Sequence, residues 1–139
     1  MYKKLDVEKK TIGTDLKIDF IESGNIYDIY FYDTRVKQLI SNNFETSFAN
    51  IFLRLEKNGE VSIHNLIGVG SNSKFMVENN KAYYKGNANG VNYTVIISVV
   101  ERTYFFEVKL EKTEGVKLNV FYGMDFCISN KYAVRNNEA

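Results

Sequence analysis

Tyr104-Phe105-Phe106-Glu107-Val108-Lys109-Leu110-Glu111 reads as two interleaved rows. Tyr104, Phe106, Val108 and Leu110 fall on one side, and Phe105, Glu107, Lys109 and Glu111 on the other. A period of two with one apolar and one largely polar row is the signature of a strand with one buried face. The preceding run, 91–100, repeats it, with Val91, Tyr93, Val95, Ile97 and Val99 in one row. The following run, 116–122, sets Val116, Leu118, Val120 and Tyr122 opposite Lys117 and Asn119.

Further towards the N-terminus, Leu16, Ile18 and Phe20 alternate with Lys17 and Asp19, and Ile51, Leu53 and Leu55 with Phe52, Arg54 and Glu56. The run Ile26-Tyr27-Asp28-Ile29-Tyr30-Phe31-Tyr32 is apolar in both rows except at Asp28, as expected of a strand covered on both sides. Shorter strands are expected at 61–66, 74–79 and 82–87. Asn58-Gly59, Asn79-Asn80 and Asn89-Gly90 supply turn residues that accept positive φ, and Thr113-Glu114-Gly115 joins two strands. Short strands at this spacing predict an all-β chain: a single antiparallel β-sandwich over 1–139, with 1–13 as a lead-in. The only short helix candidates are 34–41 and 131–139.

Composition agrees. Ten Tyr and ten Phe in 139 residues, with no Trp or Pro, favour sheet. Eighteen basic and 17 acidic residues leave a formal charge of +1, which gives no field for nucleic acid or an anionic membrane. The single cysteine, Cys127, gives no sign of an oxidising compartment. No apolar run approaches the ~20 residues of a membrane span.

The residues that carry chemistry are sparse. His64 is the only histidine and lies in a strand-like run, while Cys127 sits between Phe126 and Ile128 as a small hydrophobe would. A Cys–His dyad is therefore not expected, and one His with one Cys excludes zinc-finger spacing. Gly68-Val69-Gly70-Ser71 lacks the lysine and hydroxyl residue of a phosphate loop and reads as a turn. Asp28, among apolar neighbours, reads as a paired structural carboxylate. Tyr27, Tyr30 and Tyr83 are candidates for stacking against sugar rings, with core packing as the alternative.

The last stretch runs Tyr122-Gly123-Met124-Asp125, then Phe126 to Tyr132, then Ala133-Val134-Arg135-Asn136-Asn137-Glu138-Ala139. It resembles the N-terminal domains of family-94 glycoside phosphorylases, in the cellobiose and oligoglucan branch. Met124 stands where that family usually has Gln, and Ser129, Asn130 and Tyr132 also depart. Phe48-Ala49-Asn50-Ile51-Phe52-Leu53-Arg54, Leu66-Ile67-Gly68 through Phe75, and Gly90-Val91-Asn92-Tyr93-Thr94 resemble its motifs in order.

The resemblance implies part of a supersandwich-type domain belonging to a cytoplasmic, often dimeric enzyme. Such enzymes cleave β-glucosides with inorganic phosphate as co-substrate, inverting the anomeric centre, and use no other cofactor or metal. The catalytic acid would lie in a later helical (α/α) barrel domain of the same polypeptide, so no catalytic residue is assigned here. The implied role is a non-catalytic structural or interface domain, inactive in isolation; the alternative is a free-standing β-glucan-binding module. A β-glucooligosaccharide is the implied ligand of the parent enzyme. Asp125, Arg135, Asn137 and Glu138 are the candidates for a domain interface or substrate entrance. If the chain is a piece of a larger sandwich, the Tyr104–Leu110 row is left for a second copy to cover, giving a homodimer.

Overall fold

The computed structural model describes residues 7–37, 40–111 and 113–130. They form twelve strands and no helix: β1 (Lys10–Gly13), β2 (Leu16–Phe20), β3 (Ile26–Phe31), β4 (Thr34–Lys37), β5 (Asn50–Lys57), β6 (Glu60–Asn65), β7 (Ser73–Glu78), β8 (Lys81–Ala88), β9 (Val91–Val100), β10 (Thr103–Glu111), β11 (Val116–Gly123) and β12 (Phe126–Asn130). A five-stranded sheet has the order β1-β2-β3-β4-β12, a four-stranded sheet β10-β9-β8-β7, and a three-stranded sheet β11-β5-β6. All pairings are antiparallel, as expected of an antiparallel β-sandwich.

Two readings change. Lys10–Gly13, taken as lead-in, is the edge strand β1, and Thr34–Lys37, inside the helix candidate 34–41, is β4. The second helix candidate, 131–139, lies outside the described residues.

The three sheets share one apolar core. Ile12, Ile18, Phe20 and Ile29 enter it from the five-stranded sheet, Ile51, Leu53 and Leu55 from the three-stranded sheet, and Tyr84, Val95 and Ile97 from the four-stranded sheet. Tyr104, Phe106, Val108 and Leu110 are half-buried against this core, so that row is largely covered within the chain. On β11 the row opens towards its end: Val116 and Leu118 are half-buried, whereas Val120 and Tyr122 are exposed.

The turns follow the residue chemistry. Asn58 and Gly59 (φ 53° and 79°), Asn79 and Asn80 (52° and 59°), and Asn89 and Gly90 (48° and 93°) all take the left-handed conformation that tight two-residue hairpins require. Each joins two neighbouring strands, so these positions fix the register of β5–β6, β7–β8 and β8–β9.

Tyr84 carries much of the packing between sheets. It is wholly buried, stacks on Phe75 at 5.0 Å, and donates its hydroxyl to the Gly24 carbonyl at 2.6 Å. Burial pushes its phenol well above the ordinary value, so it stays a neutral donor. Tyr84→Phe keeps the ring and strands the carbonyl. We expect a loss of about 1–2 kcal/mol in chemical denaturation, with no change in far-UV circular dichroism.

Candidate functional site

The alternation of the first strands places Thr11, Asp19, Asp28, Tyr30, Arg35 and Lys37 on one face of the five-stranded sheet. Thr11, Asp19 and Asp28 are directly opposite one another across β1, β2 and β3, and Tyr30 is opposite Arg35. Asp19 accepts from the Thr11 hydroxyl at 2.6 Å and from the Tyr30 hydroxyl at 3.2 Å. Arg35 donates to Asp28 through Nε, 3.0 Å from each carboxylate oxygen, and through Nη2 at 2.8 Å. Lys37, 1% exposed, holds its Nζ 3.7 Å from Asp125 Oδ1.

Charges so far from water persist only when paired and hydrogen-bonded. Asp28 is thus the paired structural carboxylate expected from the sequence, and Arg35 is its partner.

Asp125 joins this face to a groove. Between β11 and β12 it lines a hollow of ≈ 450 Å³ with Thr46, Ser47, Phe48, Phe52 and Met124. Two aromatic rings, Phe48 and Phe52, line it. Phe48 is 67% exposed, and Phe44, Phe126 and Ile128, close to these residues in sequence, also face solvent. Phe52 stacks on Phe121 at 5.4 Å. Met124 receives the Tyr122 hydroxyl at 3.0 Å. Although part of the Tyr122 ring is exposed, desolvation around its hydroxyl, then the Tyr104 hydroxyl and the Asp125 charge, push the phenol far above its ordinary value, so it remains a protonated donor. An exposed ring beside a buried ion pair suits a protein-facing surface. Arg135, Asn137 and Glu138 lie outside the described residues.

The loops beside this groove are tied by two buried amides. Asn25 donates to the carbonyls of Asn42 at 2.7 Å and Glu45 at 2.9 Å, and accepts from the Val69 amide at 2.9 Å. Asn50 donates to the Ile67 carbonyl at 3.1 Å and accepts from its own neighbour, the Ile51 amide, at 2.9 Å. Gly68, Val69 and Gly70 form the expected turn, with Ser71 donating back to the Gly68 carbonyl. Sequence reading missed both asparagines as organisers, along with Arg35 and Lys37. The available signal was an Asn beside an apolar run, a residue that needs its amide satisfied if it is buried.

The three tyrosines differ. Tyr30 is buried with its hydroxyl on Asp19, so it offers no ring to a sugar. Tyr27 is half-buried, with the Lys9 ammonium 4.7 Å from its ring centre. Tyr83 lies in a hollow of ≈ 590 Å³ on the outer face of the four-stranded sheet.

His64 and Cys127 lie on different sheets. His64 Nε2 is 2.9 Å from the Ser62 hydroxyl on β6, an edge strand of the three-stranded sheet. Cys127 belongs to β12 in the five-stranded sheet, with its thiol 3.9 Å from the Arg35 carbonyl. Among the described residues no group of three His, Cys, Asp or Glu is placed to hold a metal ion, and no helix is long and apolar enough to cross a membrane.

Fold and surface together define an all-β domain with a buried charged face and a groove lined by two aromatic rings. The profile of the SOGP N-terminal domain matches residues 19–139, and the chain belongs to that family. A 1,2-β-oligoglucan phosphorylase from Listeria innocua is 25% identical over 131 residues. The match takes in 94% of this chain and 12% of that protein, so the chain spans a small part of its relative's length.

Proposed function

We propose that this chain acts as the N-terminal structural and interface domain of a carbohydrate phosphorylase of the family-94 type, which cleaves β-glucosides with inorganic phosphate. The observation that carries this reading is the likeness to 12% of an oligoglucan phosphorylase. The groove that Asp125 shares with Phe48 and Phe52 supports it as the surface that meets a helical barrel domain of a longer polypeptide. Asp125 would serve there by holding Lys37, with Arg135, Asn137 and Glu138 continuing the contact. The dimeric assembly and cytoplasmic setting expected from the resemblance belong to the same proposal.

The test is enzymatic. The 139-residue chain incubated with β-1,2-glucooligosaccharides and phosphate is expected to release no glucose 1-phosphate. A polypeptide in which it precedes a helical barrel domain is expected to release it. Release by the chain alone would refute the non-catalytic role. A gene that stops at codon 139 would refute the domain reading and favour the free-standing β-glucan-binding module.

A further inference from the structure

The register of the four-stranded sheet sorts its outer face into rows. Met76, Tyr83 and Ile96 are directly opposite one another across β7, β8 and β9. One step along the strands, Lys74, Lys85, Thr94 and Lys109 form a second row across all four strands. Same-face residues two apart along a strand are about 7 Å apart, and four strands span about 14 Å. The hollow of ≈ 590 Å³ covers both rows, with Glu78 on the far side of the apolar one. A second hollow, of ≈ 260 Å³, shares Lys85, Thr94 and Lys109 with it and continues to Asn92 and Glu111. The cationic row is thus the divide between two adjoining depressions.

That row sets two exposed positive charges side by side. Lys74 and Lys85 are direct cross-strand partners, and like charges so placed repel. The ion pairs among the described residues include Lys109 with Glu107 at 3.7 Å, but neither Lys74 nor Lys85. A lysine on an edge strand is explained by protection against edge-to-edge pairing, which accounts for Lys74 on β7. It does not account for Lys85 on the interior strand β8.

We propose that this face binds a hexose phosphate. The apolar face of the sugar lies on Tyr83 between Met76 and Ile96, and its phosphate meets Lys74 and Lys85. Thr94 and Glu78 are placed to hydrogen-bond ring hydroxyls on either side of the apolar row. One ligand of this class satisfies both rows: a ring with an apolar face, and a dianion about one row away. Neither a free anion nor a neutral sugar uses both.

Titration of the isotope-labelled 139-residue chain with glucose 1-phosphate, followed by amide chemical shifts, tests the proposal. Shifts are expected to concentrate on β7–β10. Affinity is expected to fall roughly tenfold in Tyr83→Ala, as an aromatic contact is lost. Lys85→Gln, an exposed change that leaves the core untouched, should weaken binding comparably and flatten its dependence on salt. Melting curves of both variants confirm that each remains folded. Inorganic phosphate binding as tightly as glucose 1-phosphate would reduce the face to an anion patch and overturn the proposal. A neutral β-1,2-linked glucose disaccharide binding as tightly would overturn it too, as would an absence of shifts on this face. None of these outcomes bears on the phosphorylase reading, which its own assay decides.

Discussion

Arg35→Met is expected to cost the fold about 3–5 kcal/mol, against total stabilities of about 5–15 kcal/mol for most domains. The size follows from what is left behind. Asp28 is 2% exposed and receives its hydrogen bonds from Arg35 Nε and Nη2, and otherwise from the Ile29 amide. Removing the guanidinium leaves a carboxylate in the sandwich with no counter-charge within the pair. The double variant Asp28→Leu/Arg35→Met takes out both charges and is expected to recover most of the loss, because two apolar side chains can fill the space without a desolvation penalty. Urea denaturation of the four members of this cycle measures the coupling. A single-variant loss below about 1 kcal/mol would mean that the pair is screened by water, as surface ion pairs are.

The second large effect is expected at Asn25. Its side chain serves two carbonyls and one amide on separate loops, so Asn25→Ala leaves three main-chain groups to find new partners. At about 1 kcal/mol for each hydrogen bond lost, the loss should be about 3 kcal/mol. Gly68→Ala should act through the same contact. A Cβ there would fall on Asn25 Oδ1, at a φ of +73° that side chains other than glycine's seldom adopt. The two substitutions remove one shared arrangement, so the double variant should cost clearly less than their sum. Faster amide exchange at Val69 in both single variants would locate the damage. Additive losses would show that Asn25 and Gly68 act independently.

Periodicity made the middle of the chain legible. β9 and β10 are long, and their rows differ sharply in polarity, so strand, register and buried face could all be read. The strands that escaped notice, β1, β4 and β12, all belong to the five-stranded sheet. Two are four residues long, too short for a period to declare itself, and β12 has an irregular register against β4 between Phe126 and Ser129. That sheet also buries charge on its outer face, so Thr34-Arg35-Val36-Lys37 looks like surface although Arg35 and Lys37 are buried.

The candidate site was less legible for a related reason. Asp28 attracted notice through its apolar neighbours, but its partner depends on the hairpin turn at Tyr32-Asp33, which sets Arg35 opposite Tyr30. The hollow around Tyr83 depends on which residues meet across four strands. Lys74, Lys85 and Lys109 are scattered in sequence and become one row only once the register is known.

The pairing of β12 with β4 has a consequence for the order in which the molecule is made. Synthesis delivers β4 early, yet its outer edge stays open until residues 126–130 emerge from the ribosome. Asp125, the carboxylate beside Lys37, arrives at the same moment. Closing a loop of this length costs chain entropy that local hairpins avoid, and pairings so distant in sequence tend to form late. The nascent chain can therefore assemble β5 to β10 hairpin by hairpin while its first sheet waits. Sealing that sheet waits for β12, so completion of the N-terminal strands is set by the arrival of a strand far along the chain.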